Sequence, residues 1–247
     1  MDHVASARKV AYHRDRLDSY LRQEPVFPVT LELDITSRCT RVCEACPSSR
    51  SEYQHSLTFD FVRELMSSLE GQTHGLLLTG GEATMSAIFP SVLALARRKG
   101  FADIAVVTNG SMLDKERVAD ALLQHASTIR VSMYDWNNDS CEGVAPTLMK
   151  VERLRKRIEK EGAKVMIGIS VLTARDRIAR LPELMRSVRG AGAHWIYFHP
   201  MCTGWDNGHV ARTDQAGVPE TLRALVSGAT SDFGVFYLPA RYGDLRP

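Results

Sequence analysis

The sequence predicts an α/β protein built on a parallel sheet with helices on its outer face. Two observations lead there. Six short apolar runs of strand length alternate with amphipathic stretches of helical period, and few long gaps interrupt the series. The segments richest in reactive side chains each follow the carboxyl end of one of those runs, which is where parallel α/β barrels assemble their sites.

In chain order, a polar amphipathic helix over residues 5–23 precedes the core. The strand candidates are Val29–Ile35, Gly75–Thr79, Ile104–Thr108, Thr128–Met133, Val165–Val171 and Trp195–His199. Between them lie the helical stretches Thr58–Glu70, Phe89–Lys99, Asp114–His125, Val144–Glu161 and Leu181–Gly190. Val144–Glu161 gathers Lys150, Arg153, Arg157 and Lys160 on one face, which reads as a solvated surface. The tail from Thr203 opens with a loop rich in Gly, Asp and Asn. A helix near Pro219–Ser227 and an apolar run, Val235–Leu238, follow. No internal repeat beyond the βα period and no low-complexity segment is visible. The expected division is a helical extension over residues 1–27, a core over 28–205 and a carboxy-terminal extension over 206–247.

A chain of 247 residues is ample for one sizeable core. Its net charge of +2 gives no support to a nucleic-acid or membrane partner. The amino-terminal stretch is broken up by Lys9, Arg14, Asp15, Arg16 and Asp18, so no signal sequence is expected there. No apolar run approaches the roughly 20 residues that span a bilayer. Five cysteines, three of them clustered, fit a reducing compartment better than a disulfide framework. The expectation is a soluble cytoplasmic protein.

The clustered cysteines are Cys39, Cys43 and Cys46, spaced C-x3-C-x2-C after the first strand. A structural zinc site wants four ligands, whereas a 4Fe–4S cluster has four irons to be held. Three thiolates on one loop can hold three irons and leave the fourth open to a molecule that is not protein. The plainer readings are a zinc loop completed by one of the eight histidines, or three unrelated thiols. Thr79-Gly80-Gly81-Glu82 then follows the second strand, and Thr108-Asn109-Gly110 ends the third. The fourth strand carries Val131-Ser132-Met133-Tyr134, the fifth Gly168-Ile169-Ser170-Val171, and the sixth ends in His199-Pro200-Met201-Cys202.

This set resembles the radical S-adenosylmethionine (radical SAM) superfamily, over roughly residues 28 to 205. That family places C-x3-C-x-aromatic-C after strand 1 and GGE after strand 2. Ala45 stands where the family usually has the aromatic that packs beside adenine. The resemblance implies a partial (β/α)6 TIM-like barrel with a short N-terminal helix and a short C-terminal extension. It implies a 4Fe–4S cluster on Cys39, Cys43 and Cys46, with S-adenosylmethionine on the open iron. One electron then cleaves the sulfonium and yields a 5′-deoxyadenosyl radical that abstracts hydrogen from substrate. The hard chemistry is the cofactor's; the protein orients it and excludes competing reactions.

By the same resemblance, Gly80 and Gly81 let the backbone approach the methionine moiety, with Glu82 near its ammonium. Ser132 and Ser170 are candidates for its carboxylate or the ribose hydroxyls, and Asn109 faces the same region. Each serine is otherwise an ordinary strand residue, and Asn-Gly a plain turn former. Arg38 and Arg41 flank the cluster loop, either to dock a flavodoxin or ferredoxin reductant or as solvated side chains. Tyr134, Asp135, Trp136, His199, Trp205, Asp206 and His209 lie at the expected barrel mouth and suggest substrate contacts.

No cysteine follows Cys202, so an auxiliary cluster within the chain is not expected. Redox-neutral outcomes gain weight: epimerisation, rearrangement, elimination, or activation of a partner enzyme. Cys202 and Cys141 are then candidate hydrogen-atom donors, although free cysteines usually act as small apolar fillers. The expected substrate is a small molecule or short peptide. The competing readings are a glycyl-radical-enzyme activase and, from another class, a non-catalytic zinc or iron–sulfur protein.

Overall fold

The computed structural model describes residues 12–46, 54–134, 144–203 and 211–242. Helix α1 (Arg14–Leu21) leads into β1 (Thr30–Asp34), α2 (Phe59–Ser68), β2 (Gly75–Thr79), α3 (Phe89–Arg98) and β3 (Asp103–Thr108). Next come α4 (Glu116–His125), β4 (Thr128–Met133), α5 (Val144–Glu161), β5 (Met166–Thr173), α6 (Leu181–Gly190) and β6 (Trp195–Pro200). A two-stranded hairpin, β7 (Cys202–Thr203) and β8 (Ala211–Arg212), precedes α7 (Val218–Val226) and β9 (Gly234–Tyr237).

The main sheet has seven parallel strands in the order β1-β2-β3-β4-β5-β6-β9. Strands adjacent in the first six positions are adjacent in sequence, as successive βα units require. Among the described residues β1 does not pair with β9, so the sheet is an open partial barrel. The six expected strands are all present. The seventh is an addition: α7 and β9 form one more βα unit, and Trp195↔Gly234 and Phe198↔Tyr237 pair it in parallel with β6. Its helix and apolar run are visible in the sequence, near Pro219–Ser227 and over Val235–Leu238, but the intervening hairpin conceals that they extend the main sheet.

The alternation within each strand decides what faces the interior. On β4, Ile129, Val131 and Met133 are buried in the core under the helices. The intervening Arg130 and Ser132 line the concave inner face. Leu33 and Ile35, Leu76 and Leu78, Ile104 and Val106, Ile167 and Ile169, and Ile196 and Phe198 repeat the outward pattern. Each such side chain contributes about 1.5–3 kcal/mol on burial. This apolar layer holds the sheet in register and leaves the inner face free for polar residues.

Two local devices matter for the site. Thr58 caps α2, its Oγ1 accepting the Phe61 N–H at 3.3 Å, and so fixes where the helix after the cluster loop begins. On the inner face of β5, a Cβ at Gly168 would overlap the Trp195 indole, so the glycine lets that ring lie across the sheet. On the outer side, α5 carries the ion pairs Arg155–Glu159 and Lys156–Glu152, in keeping with a solvated face. No helix among the described residues is long and apolar enough to cross a membrane.

Candidate functional site

The cysteine loop is tied to the end of β2 by backbone hydrogen bonds. Gly81 N–H donates to Thr36 O at 2.7 Å, and Glu82 N–H donates to Arg38 O at 2.7 Å. Within the loop, Cys46 N–H donates to Cys43 O at 3.1 Å. Gly80 has φ +140°, and a Cβ there would overlap the Thr36 carbonyl oxygen. A Cβ at Gly81 would overlap the carbonyl oxygens of Ser37 and Arg38. The close approach that requires glycine is thus made to this chain's own loop, immediately before Cys39.

Glu82 is 1% exposed and lies behind the cavity wall. Its Oε1 accepts from Thr84 N–H at 3.2 Å, Thr84 Oγ1 at 2.5 Å and Thr108 Oγ1 at 2.7 Å. Its Oε2 accepts from Asn109 N–H at 2.6 Å. A buried carboxylate without such donors would be costly; here four donors hold it. The residue expected to face the methionine ammonium is therefore engaged by protein donors, and it locks the end of β3 to the end of β2.

Asn109 extends this chain of contacts to the cysteines. Its Nδ2 donates to Thr40 Oγ1 at 3.0 Å and to Cys39 Sγ at 3.5 Å. Arg41 N–H donates to the same sulfur at 3.4 Å. Desolvation pushes the Cys39 thiol up, with the charges of Glu82 and Cys46 adding to it, while the Arg41 and Asn109 donors pull it down. Those donors favour the thiolate, the form that ligates metal.

Cys39, Cys43 and Cys46 line one cavity of about 250 Å³ together with Thr79, Gly80, Gly81 and Asn109. Ser132 and Tyr134 reach it from β4, and Glu32 and Asp34 from β1. Among the described residues no three His, Cys, Asp or Glu side chains converge on one ion site. The three thiols border a shared space instead, which fits a multi-iron cluster in which each thiolate meets a different iron.

Other expected site residues are placed as follows. Ser170, paired in register with Ser132, is fully buried with an Oγ that has no hydrogen-bond partner, and it does not line the cavity. Arg41 turns inward, lining the cavity and donating to Thr147 Oγ1 at 3.0 Å. That orientation does not suit a reductant-docking cation. Ala45 packs with Leu172, Met201 and Tyr134 in a small apolar cluster separate from the main core. Cys202 is half-buried on β7 and does not line the cavity. Cys141, Asp135, Trp136, Trp205, Asp206 and His209 lie outside the described residues.

His199 sits at the end of β6, where Arg241 Nη1 donates to its Nδ1 at 3.1 Å. Burial, then Arg241 and Arg130, push its pKa from 6.5 down to about 3, so it is neutral. The sequence reading gave no role to Arg130, Glu32, Asp34 or Thr84, and named Thr108 only within Thr108-Asn109-Gly110. The first three were marked by strand alternation, since a polar residue between two apolar ones on a buried strand must face the interior. Nothing local marked the two threonines, whose role depends on Glu82 being buried between them.

The family model described as the radical SAM superfamily matches residues 33–160. The chain belongs to the radical SAM superfamily. Its cofactors are accordingly a 4Fe–4S cluster and S-adenosylmethionine. The chain is 26% identical over 178 residues to the tungsten-containing aldehyde ferredoxin oxidoreductase cofactor-modifying protein of Pyrococcus furiosus, covering 66% of this chain and 48% of that one. It is 25% identical over 186 residues to a probable GTP 3′,8-cyclase of Methanococcus maripaludis, covering 70% and 59%. The chain thus spans about half the length of these curated relatives. In fold it is similar to Streptococcus suis SuiB bound to S-adenosylmethionine, with a TM-score of 0.70, 15% identity, and coverage of 96% of this chain and 57% of that one. SuiB has also been solved with its precursor peptide SuiA.

Proposed function

We propose that this radical SAM protein is an enzyme that abstracts a hydrogen atom from a small molecule or short peptide. The observation that carries the reading is a single cavity bordered both by the three loop cysteines and by polar side chains from β1 and β4. Cofactor and substrate chemistry then share one enclosed space. When bound, the cluster and S-adenosylmethionine supply one-electron cleavage of the sulfonium and hydrogen-atom abstraction.

The chain's own residues hold and enclose. Cys39, Cys43 and Cys46 ligate the cluster, and the Asn109 and Arg41 donors at Cys39 stabilise thiolate charge. Gly80 and Gly81 form the wall next to the loop, and Ser132 offers a hydroxyl to the cofactor. Tyr134, with Leu172 and Met201, provides the apolar corner for adenine that Ala45 alone does not. A flavodoxin or ferredoxin is the expected electron source. A redox-neutral outcome is the expected class, with Cys202 or Cys141 returning hydrogen if the outcome is inversion.

The test is anaerobic reconstitution with iron and sulfide, then reduction in the presence of S-adenosylmethionine. A broad absorbance near about 400 nm and formation of 5′-deoxyadenosine are expected. A colourless protein that retains zinc, or an iron–sulfur protein that never cleaves S-adenosylmethionine, would remove the enzymatic reading.

A further inference from the structure

We infer that the substrate is seated through an anionic group, a carboxylate or a phosphate, held by Arg130. The inference rests on the enzymatic reading above and names the substrate chemistry for the same cavity.

Arg130 lies on the inner face of β4, two residues before Ser132 and so one step further from the cluster loop. It is paired in register with Gly168, and Gly168 with Trp195, whose indole lies over the glycine. The indole covers the sheet next to the guanidinium's strand position. Arg130 Nε is buried and has no hydrogen-bond partner. Among the described residues the side chain makes no ion pair. Arg130 as a whole is half-buried, but a guanidinium is always charged, and a buried Nε–H left without an acceptor is costly. The orphaned donor therefore points to a ligand with acceptor oxygens, and a carboxylate or phosphate matches the fork of N–H groups.

The surrounding charges set the direction. Arg241 adds a second cation on the same side through its hydrogen bond to His199, which is uncharged and contributes no counter-anion. The carboxylates that line this cavity, Glu32 and Asp34, come from β1, three strands away across the concave sheet, and form no ion pair with Arg130. The charged side chains lining the cavity are thus Arg130 on β4, Arg41 on the cysteine loop, and the carboxylates Glu32 and Asp34 on β1. An anion is drawn to Arg130 and repelled from Glu32 and Asp34.

The experiment uses the full chain, reconstituted anaerobically and saturated with S-adenosylmethionine. Succinate and inorganic phosphate are titrated separately by calorimetry into wild type, Arg130→Met and Arg130→Lys. At least one probe should bind wild type saturably, and Arg130→Met should weaken it by about tenfold or more, the usual worth of a charge-assisted hydrogen bond. Arg130→Lys should keep part of the affinity, and S-adenosylmethionine should bind all three proteins alike. Preference for succinate assigns a carboxylate, and preference for phosphate assigns a phosphorylated substrate. If Arg130→Met does not fold, Arg130→Lys gives the comparison by itself. The inference is overturned if neither probe binds wild type, or if the variants bind both as wild type does. Loss of S-adenosylmethionine affinity in parallel with the probe also overturns it, because Arg130 would then serve the cofactor. Failure of the enzymatic reading looks different: wild type itself would form no cluster or no 5′-deoxyadenosine.

Discussion

Glu82 and Asn109, at the ends of neighbouring strands, are joined by a 2.6 Å hydrogen bond from the Asn109 N–H to the Glu82 carboxylate. The Asn109 side chain continues the contact to Thr40 and Cys39. The carboxylate after β2 therefore controls a donor at the first cysteine without itself lining the cavity. In Glu82→Gln the amide NH2 must face at least one former donor, leaving a buried N–H or hydroxyl unpaired. A loss of about 1–3 kcal/mol in stability is expected, measurable by urea denaturation, together with reduced cluster content after reconstitution. A variant with wild-type stability and full iron would show that the network does not position Asn109.

Gly81→Ala tests the loop in another way. The added methyl would meet the carbonyl oxygens of Ser37 and Arg38 rather than open space. The loop must move away from β2, breaking the hydrogen bonds that Thr36 and Arg38 accept. The expected result is a protein that folds but binds iron poorly, with any loss of S-adenosylmethionine affinity following the iron. Normal iron content with selectively weakened S-adenosylmethionine binding would mean that the glycine serves the cofactor directly.

The strand series and the cysteine loop were readable because both depend on local pattern. Apolar runs at βα spacing predict the parallel sheet, and Thr128–Met133, Val144–Glu161 and Leu181–Gly190 have the expected bounds. What was not legible depends on contacts between distant segments. Glu82 looks like a cofactor ligand in a Gly-Gly-Glu motif, and only the fold shows Thr84, Thr108 and Asn109 converging on it. The need for glycine at position 81 likewise comes from the Ser37–Arg38 backbone, more than forty positions earlier in the chain. The seventh strand was half legible for a related reason: the apolar run Val235–Leu238 stands out in the sequence, but its place in the main sheet depends on pairing with β6.

Stability should fall on mild acidification because of buried histidines. His199 stays neutral in the fold down to about pH 3, whereas the unfolded chain takes up that proton near 6.5. Between those values the unfolded state binds more protons, so stability is lost as pH drops below 6.5. His194 and His125 are shifted in the same direction, each mainly by burial. One such proton contributes at most about 1.4 kcal/mol per pH unit. Urea midpoints between pH 7 and pH 5.5, above the range where most carboxylates titrate, should decline in wild type and decline less in His199→Gln. An equal slope in both would mean that His199 is not held neutral.

The last expectation concerns how this chain binds adenine without an aromatic at position 45. Ala45 removes aromatic surface from the cluster loop, yet it packs beside Tyr134, Leu172 and Met201. Tyr134 also lines the cavity that the three cysteines border, so its ring belongs to both the apolar corner and the cofactor space. Stacking of a base on an aromatic side chain is worth about 1–3 kcal/mol. Tyr134→Ala should therefore weaken S-adenosylmethionine binding by roughly tenfold or more, with iron and sulfide content unchanged. Tyr134→Phe keeps the ring and should bind almost as wild type does. In the converse variant, Ala45→Tyr in the Tyr134→Ala background, an aromatic restored on the loop should recover part of the affinity. Equal affinity in wild type and Tyr134→Ala, measured anaerobically by calorimetry, would place the adenine elsewhere. Loss in Tyr134→Phe as well as Tyr134→Ala would instead assign the contact to the hydroxyl, since only the hydroxyl distinguishes tyrosine from phenylalanine.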